Sequence, residues 1–560
     1  MATAVTAPMA SMVVNMPNPP GLLLLACCAA RLLRVASIAT TTNIANGTRN
    51  WTRYRIDHFA ADPTQHTQRR SRRSMVGYPR MMNWLTEHWA VAVALTAYTG
   101  VLFYNANVGR RRSGSMGHYY VGGRTMGGLA VGVSFFATFA STNSYIGNAG
   151  KGYEYGLPWM TMAVTLVLFT GLSWVAVAPR LRRFAAHWDA LTLPDYLASR
   201  FDAQGRAMRM SAAVIIVVSS LLYLVAIFKG GGNLFQSFLD IPYETAVGLT
   251  LLIVVMYTSL GGFVSVVRTD VVQGLLMMVG SITIFYFVTK AAGGIGRVIE
   301  LADRPQTHWL FSWNAGIPFV VLFGIVLSGS LKLLVDPRQV SRFYALRDEK
   351  SLRMGIRVAL VGMTIIMCCL FPVGLYAHFL LPDVQDTDLI VPMLLTSGTV
   401  FPLWVADLLV VAIVAAAMSS MDSVLLVAAS VLYKDLVEPV RPARNPITWT
   451  RFCVVAVAAV AALFALRPPG GIVEITTFSG SLYAACFFPA ILFGLHWRRG
   501  SAGAVGASML VGVVVLLGWL LLGGRALLHE VFPAMLASCL VYVVVARLTP
   551  PALESWPGES

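Results

Sequence analysis

Four polar stretches interrupt an otherwise apolar sequence, and each holds groups able to bind an ion or a charged solute. In the first, Ala137–Gly156 (ATFASTNSYIGNAGKGYEYG), an apolar run gives way to Ala140, Ser141, Thr142, Asn143 and Ser144, small and oxygen-bearing where the helix should still be crossing. Unwound backbone survives in hydrocarbon only where it is buried in protein or lines a cavity, and broken helices are where transporters build their sites. In the second, Val411–Leu436, Ser419, Ser420 and Ser423 lie deep in an apolar segment with Asp422 among them. Hydroxyls and bared carbonyls are the oxygen ligands that a small hard cation prefers. In the third, Tyr257–Gln273, Gly261–Gly262 ends one apolar run, and Arg268, Thr269 and Asp270 open the next. A carboxylate at a helix start is stabilised by the dipole and could stand on a cation's exit route. In the fourth, Leu327–Phe343, Lys332 sits roughly one helical turn, about 5 Å, inside a membrane end, with Asp336 four residues on. That lysine either pairs with Asp336 while its stem snorkels, or faces a solute carboxylate.

Each stretch also has a plainer reading. Small residues let membrane helices approach closely, serines can bond back to their own helix, and Asp270 can cap its helix or pair with Arg268. Five consecutive small or polar residues exceed one helix face, which favours a break at Ala140–Ser144. Glu474 reads as interfacial, and Asp407 as a weak pathway candidate. The seven cysteines show no paired spacing, and Cys27–Cys28 and Cys368–Cys369 are doublets in apolar runs, so they read as soft apolar filler. No GxxxxGKS, HExxH or paired CxxC motif occurs, and no nucleophile–base set is visible. Enzyme activity, nucleotide or metal cofactors, nucleic acid and an obligate protein partner are therefore not expected.

The elements that must position these groups are membrane helices. The chain has 560 residues, 57% hydrophobic and 12% charged, with mean hydropathy +0.68. A soluble domain carries about 25% charged residues, so the expected class is an all-α polytopic membrane protein in contact with a lipid bilayer. Runs long enough to cross fall near 88–107, 127–148, 157–178, 208–229, 243–260, 266–289, 315–335, 355–381, 401–426, 450–467, 471–496, 502–522 and 526–546, thirteen in all. The runs at 401–426 and 471–496 are the ones expected to bend.

The loop charges suggest an orientation. If the first loop is cytoplasmic, Arg110–Arg112, Arg180–Arg183, Arg338–Arg357, Lys434–Arg451 and Arg498–Arg499 all fall inside, and the opposite loops are short, glycine-rich or acidic, as at Asp383, Asp386 and Asp388. This positive-inside pattern implies an external N-terminus and a cytoplasmic C-terminus in the plasma membrane. Residues 1–80 conflict with it. They hold ten arginines against Asp57 and Asp62, a net +8 out of +16, and end in RRSRR at 69–73. This extension reads as a basic disordered tail or, preferably, as sequence upstream of a start at Met75, Met81 or Met82. Residues 81–548 would form the transporter, with a core at about 126–496, and 549–560 a short cytoplasmic tail.

Taken in order, these residues resemble the sodium/solute symporter family, most closely its proline/sodium branch, over roughly residues 88–500. The resemblance rests on GRRRSGSMGHYYVGGR after the first span, LTLPDYLASRF at 191–201, GGGNLFQSFLDIPYETA at 230–246, GGFVSVVRTDVVQ, VDPRQVSRF and AMSSMDSVLL. It implies a five-plus-five inverted repeat as in the leucine transporter, with broken second and seventh spans opening the two repeats. It also implies sodium ligands at the carbonyls of Ala137, Ala140 and Ala416 and the hydroxyls of Ser419 and Ser420. Asp270 then matches a carboxylate kept near that ion. On the solute side the resemblance points to Ser141 and Tyr223, with Asn143, Ser144 and Lys332 as further candidates. Phe139 stands where the proline branch keeps an aspartate, Gly329 and Leu333 where it keeps a tryptophan and a tyrosine. Asn143 and Ser144 replace the glutamate and glutamine of the sugar branch.

The expected function is sodium-coupled symport of a small organic solute by alternating access, the solute being an amino acid such as proline or, by preference, a small carboxylate. Sodium would be the coupling ion, with no other cofactor. Proton coupling, an uncoupled leak and a transporter-derived sensor are the competing expectations.

Overall fold

A computed structural model describes residues 89–201, 206–313, 317–381 and 384–552. The extension 1–80, Asp383 and most of the tail 549–560 lie outside the described residues. Among those residues the chain is helical, with one isolated bridge between Met126 and Leu346. Eleven helices are long and apolar enough to cross a membrane.

The helices that carry the argument are α1 (Trp89–Arg112), α2 (Gly128–Phe139), α3 (Asn148–Tyr155), α4 (Met160–Leu172) and α5 (Arg206–Leu239). They continue with α6 (Tyr243–Ala291), α7 (Phe319–Val335), α8 (Pro337–Ala345), α9 (Glu349–Leu370) and α10 (Leu403–Val431). The series ends with α11 (Pro446–Ala465), α12 (Ile472–His496), α13 (Ala502–Leu521) and α14 (Val531–Leu548).

Burial sorts them. The most apolar window is 94% buried in the span containing α10, 83% in α12 and 78% in α5, but only 28% in α1 and α14. Three helices therefore form the centre, and the terminal ones face lipid. Around that centre α2 packs on α6, α9 and α10, while α12 packs on α5 and α7.

Three breaks shape the interior. With 49 residues, α6 would measure about 73 Å, more than twice a hydrocarbon core. It consists of two helices joined at Gly262, where φ is 64° and ψ −171°, a conformation essentially reserved for glycine. A Cβ there would also stand 2.7 Å from the Tyr119 ring. The boundary lies at the Gly261–Gly262 pair, as expected. The second break is tighter than expected. Helix α2 stops at Phe139, Ala140 is extended (φ −71°, ψ 118°), Ser141 bends, and the chain is helical again from Thr142. It then passes through a π-helical turn at Asn143–Gly147 into α3. Two residues leave the helix rather than five.

The seventh span is interrupted as well: the stretch Phe319–Ala345 leaves the helix at Asp336, which is extended (φ −66°, ψ 123°) much as Ala140 is. Helix α7 runs unbroken to Val335, and the chain turns at Asp336, whose carboxylate accepts the Arg338 N–H at 2.9 Å and caps α8. Pro337 takes the first position of α8, where a missing N–H costs nothing. Within 401–426, α10 is wound without a non-helical residue, and α12 carries Pro489 in its interior.

Candidate functional site

The break in α2 bares carbonyls. Phe136 O still accepts the Ala140 N–H at 2.9 Å, but the carbonyls after it lie past the last helical donor. They also form the negative end of a helix dipole, which favours a cation. Helix α10 crosses beside them. The Ser420 hydroxyl donates to the carbonyls of Thr138 (3.0 Å) and Ala140 (3.3 Å), and the Ser419 hydroxyl donates to Asp270 Oδ1 at 2.5 Å. Ala137, Ala140, Ala416, Ser419, Ser420 and Asp270 are all fully buried. Ala140, Ser419, Ser420 and Asp270 therefore meet in one oxygen-rich place. Ala137 lies one residue before the carbonyl that Ser420 engages, and Thr138 is the ligand candidate missing from the sequence-based set. Ala416 sits in the unbroken middle of α10, so its carbonyl must serve the helix ladder as well.

Asp270 is not an interfacial cap, and Arg268 is not its partner. Arg268 donates to Asn105 instead (3.2 Å). The carboxylate is paired with Arg342 of α8, 72 residues away, at 3.2 Å, and both side chains are wholly buried. Ser134 donates to the same Asp270 oxygen at 2.5 Å. By sequence Arg342 is one of a run of loop cations; no local signal marks it as an interior residue. Nearby, Asp422 accepts from Thr258 at 2.6 Å.

The solute-side residues gather on the other flank of the break. Tyr223 of α5 donates to Ser141 Oγ at 3.2 Å, and the Asn143 N–H donates to the same oxygen at 3.1 Å. With two acceptor positions used, the Ser141 hydroxyl keeps its proton to donate. Ser144 Oγ accepts the Ser141 N–H at 3.4 Å. Lys332 is buried and donates to the Thr476 carbonyl at 2.9 Å, with its Nζ 5.3 Å from the centre of the Tyr223 ring. It does not pair with Asp336. That carboxylate is taken by Arg338, through Nε and through Nη2 at 2.5 Å, and the Arg338 guanidinium lies 3.8 Å from the Tyr223 ring centre. Of these two buried cations, only Arg338 holds the carboxylate. Gly480 makes room for the lysine, since a Cβ there would lie 3.0 Å from its stem.

A cavity of about 1030 Å³ opens at one end of the molecule. Val321 and Ile325 of α7 and Val473 and Thr477 of α12 line its deep part. Behind the lining residue Thr477, Ser328 donates to its carbonyl at 2.8 Å, and Lys332 lies one turn further along the same face of α7. Ion pairs of Lys151 with Glu474 and of Lys229 with Asp388, both 2.6 Å, flank the mouth. Glu474 is thus half-buried in a pair at the cavity wall. The cleft at the opposite end, beside Tyr120 and Tyr344, measures about 20 Å³. There Arg209 joins Asp195 (2.5 Å) to Asp435 (2.7 Å), and Lys434 also reaches Asp195.

The model of the sodium:solute symporter family matches residues 119–512, a stretch containing all three breaks and every site residue above. The chain belongs to the sodium:solute symporter family. It is a membrane transporter, with sodium as its coupling ion, and not an enzyme. The symporter is 28% identical over 451 residues to the osmoregulated proline transporter of Bacillus subtilis, covering 78% of this chain and 91% of that one. It is 28% identical over 471 residues to the sodium/pantothenate symporter of Escherichia coli, covering 82% and 96%. It is 27% identical over 482 residues to a sodium/proline symporter of Staphylococcus aureus, covering 82% and 93%. Among solved structures, a substrate-bound, outward-open Na+-coupled sialic acid symporter superposes with TM-score 0.69 at 21% identity, over 84% of this chain and 99% of the other. A closed nucleobase-cation-symport-1 family transporter gives 0.50 at 13% identity, over 77% and 95%. At these identities the likeness establishes the fold, that of the leucine-transporter-like symporters.

Proposed function

We propose that the symporter binds one sodium ion at the break in α2, against α10, and carries with it a small carboxylate-bearing solute held by Ser141, Asn143, Ser144, Tyr223 and Lys332. The observation that carries this reading is the bond from Ser420 to the Thr138 and Ala140 carbonyls. It brings hydroxyl oxygens of one helix to bared carbonyls of another, a donor set suited to a hard cation. When sodium enters between Ala137, Ala140, Ala416, Ser419 and Ser420, the serine hydroxyls turn their lone pairs to the ion. The break is then fixed, and Ser141–Ser144 is ordered for the solute. Reciprocity requires that solute tighten sodium equally.

A carboxylate is favoured over other solute groups by two features. Ser141 has a proton to donate, and Lys332 brings a buried positive charge without a carboxylate of its own among the described residues. None of the five solute-side residues is acidic, so an ammonium group finds no counter-charge among them. The pantothenate symporter of Escherichia coli, among the relatives, takes a solute that its name identifies as such a carboxylate.

The breaks at Ala140 and Gly262 support thirteen crossings, with α6 counted as two and α2–α3 as one, and a five-plus-five repeat in which α2 opens the first half. The basic loops support an external N-terminus and a cytoplasmic C-terminus in the plasma membrane, which puts the large cavity outside. The closed, ion-paired end would then face the cytoplasm. The test is uptake into proteoliposomes under a sodium gradient or a choline gradient at fixed pH, with and without Ser419→Ala and Ser420→Ala. Sodium-dependent uptake that needs more sodium in the double variant supports the site; uptake driven equally in choline assigns the coupling to protons or to none.

A further inference from the structure

Arg342 is the buried group that the proposed cycle leaves unused. Its guanidinium donates to Ser134 Oγ (3.1 Å), Thr138 Oγ1 (2.7 Å), Asp270 Oδ2 (3.2 Å) and Ser423 Oγ, and through Nη1 to Arg338 O and Ser341 Oγ, both 3.4 Å. The first four of these oxygens come from α2, α6 and α10, and they comprise one carboxylate and three hydroxyls. That is itself a cation-binding set. It adjoins the proposed sodium place through two residues: Thr138 gives its carbonyl to Ser420 and its hydroxyl to Arg342, and Asp270 gives one oxygen to Ser419 and the other to Arg342. The Phe263 ring, directly after the Gly262 break, lies 5.2 Å from the guanidinium carbon and adds a second attraction for positive charge.

We propose that Arg342 is a built-in cation. It fills the nest around Asp270 and leaves the symporter room for one sodium, beside Ser419 and Ser420, where an unoccupied carboxylate would recruit a second. This rests on the sodium place proposed above. Charge accounts for the exclusion. Without Arg342 the nest holds a buried −1, which in a low-dielectric interior is compensated by whatever cation can reach it. With Arg342 the nest is neutral, and a further ion meets repulsion from a charge that cannot diffuse away. The position gives Arg342 a second role. Helix α8 hangs on the Asp336–Pro337 turn at the end opposite the cavity, so the side chain enters from that end. A sodium ion leaving past Asp270 toward that end finds the way blocked until α8 withdraws its arginine.

The experiment is an equilibrium count of ²²Na+ bound per molecule of purified symporter in detergent, at fixed pH against choline. The expected count is one in the wild type, two in Arg342→Gln, one in Arg342→Lys, which keeps the charge, and one in the double variant Arg342→Gln, Asp270→Asn. A count that stays at one in Arg342→Gln, or a wild-type count of two, overturns the assignment. A wild-type count of zero instead overturns the sodium place on which it rests. Should Arg342→Gln not fold, Ser419→Ala with Ser420→Ala decides in an otherwise native protein. A single sodium ion bound roughly tenfold more weakly is expected if Arg342 closes the second nest, and a sodium ion still bound with wild-type affinity contradicts the proposal.

Discussion

Asp270 on one flank of the α2 break and the polar residues on the other differ in how completely they are partnered, although Asp422 Oδ2 of α10 also lacks a partner among the described residues. On the α10 side both oxygens of Asp270 are engaged, by Ser419 on one and by Ser134 and Arg342 on the other. On the other side, Thr142 Oγ1, Asn143 Oδ1 and Asn148 Oδ1 are buried with no partner among the described residues, and Lys332 holds only a carbonyl and the edge of a tyrosine's field. A saturated network specifies one arrangement and is costly to open, whereas unpaired buried groups wait for a ligand to complete them. The ion flank is thus built as a fixed frame, and the solute flank as an open socket.

The largest effect should come from breaking the frame. Asp270→Ala leaves Arg342 buried without a counter-charge, and removing one partner of such a pair costs about 3–5 kcal/mol. Detergent-solubilised protein should show a clear loss of thermal stability along with loss of sodium-dependent uptake; an unaltered melting curve would mean the pair is not buried in the resting protein. Next in size, Ser419→Ala with Ser420→Ala should raise the half-saturating sodium concentration on the order of tenfold or more, a factor of ten corresponding to about 1.4 kcal/mol. Sodium-activation curves of uptake measure this directly.

The socket should respond differently. Lys332→Met keeps the stem's bulk and removes its charge. Solute affinity should fall roughly tenfold, the scale of a charge-assisted contact of about 1.5–3 kcal/mol, while sodium binding without solute stays as in the wild type. A parallel loss of both would erase the distinction between frame and socket. Gly480→Ala is the mildest test. Its methyl would stand 2.9 Å from the Ser328 carbonyl and 3.0 Å from the Lys332 stem, so solute affinity should drop a few-fold, with a small loss of thermal stability as α7 gives way.

Much of the frame is legible in the amino-acid sequence. Glycine and serine runs are local signals, and they locate the breaks at Ala140 and Gly262 and the Ser419–Ser420 pair facing the first. The resemblance to the family adds the sodium set, of which Ala416 fits least easily because α10 stays wound. The long-range pairing is not legible in this way. Arg342 belongs by sequence to a basic loop, and only the fold of α8 against α2 and α10 turns it inward. Lys332 and Asp336 have ideal helical spacing, yet the helix ends between them and Asp336 turns to Arg338, two residues on, in a geometry that 3.6-residue periodicity does not describe. The break in the seventh span comes at Asp336, at the end of the expected run, because Ser328 within α7 finds a partner at the Thr477 carbonyl and the helix stays wound to Val335.

The most direct test of the central claim is the uptake of radiolabelled proline, pantothenate and lactate into proteoliposomes at fixed pH, under an inward sodium gradient and under choline, with the wild type and the Ser419→Ala, Ser420→Ala variant. The account predicts concentrative uptake of a carboxylate solute in sodium only, with the variant's sodium curve shifted to higher concentration. Equal uptake in choline, or superimposable sodium curves for the two proteins, would contradict it.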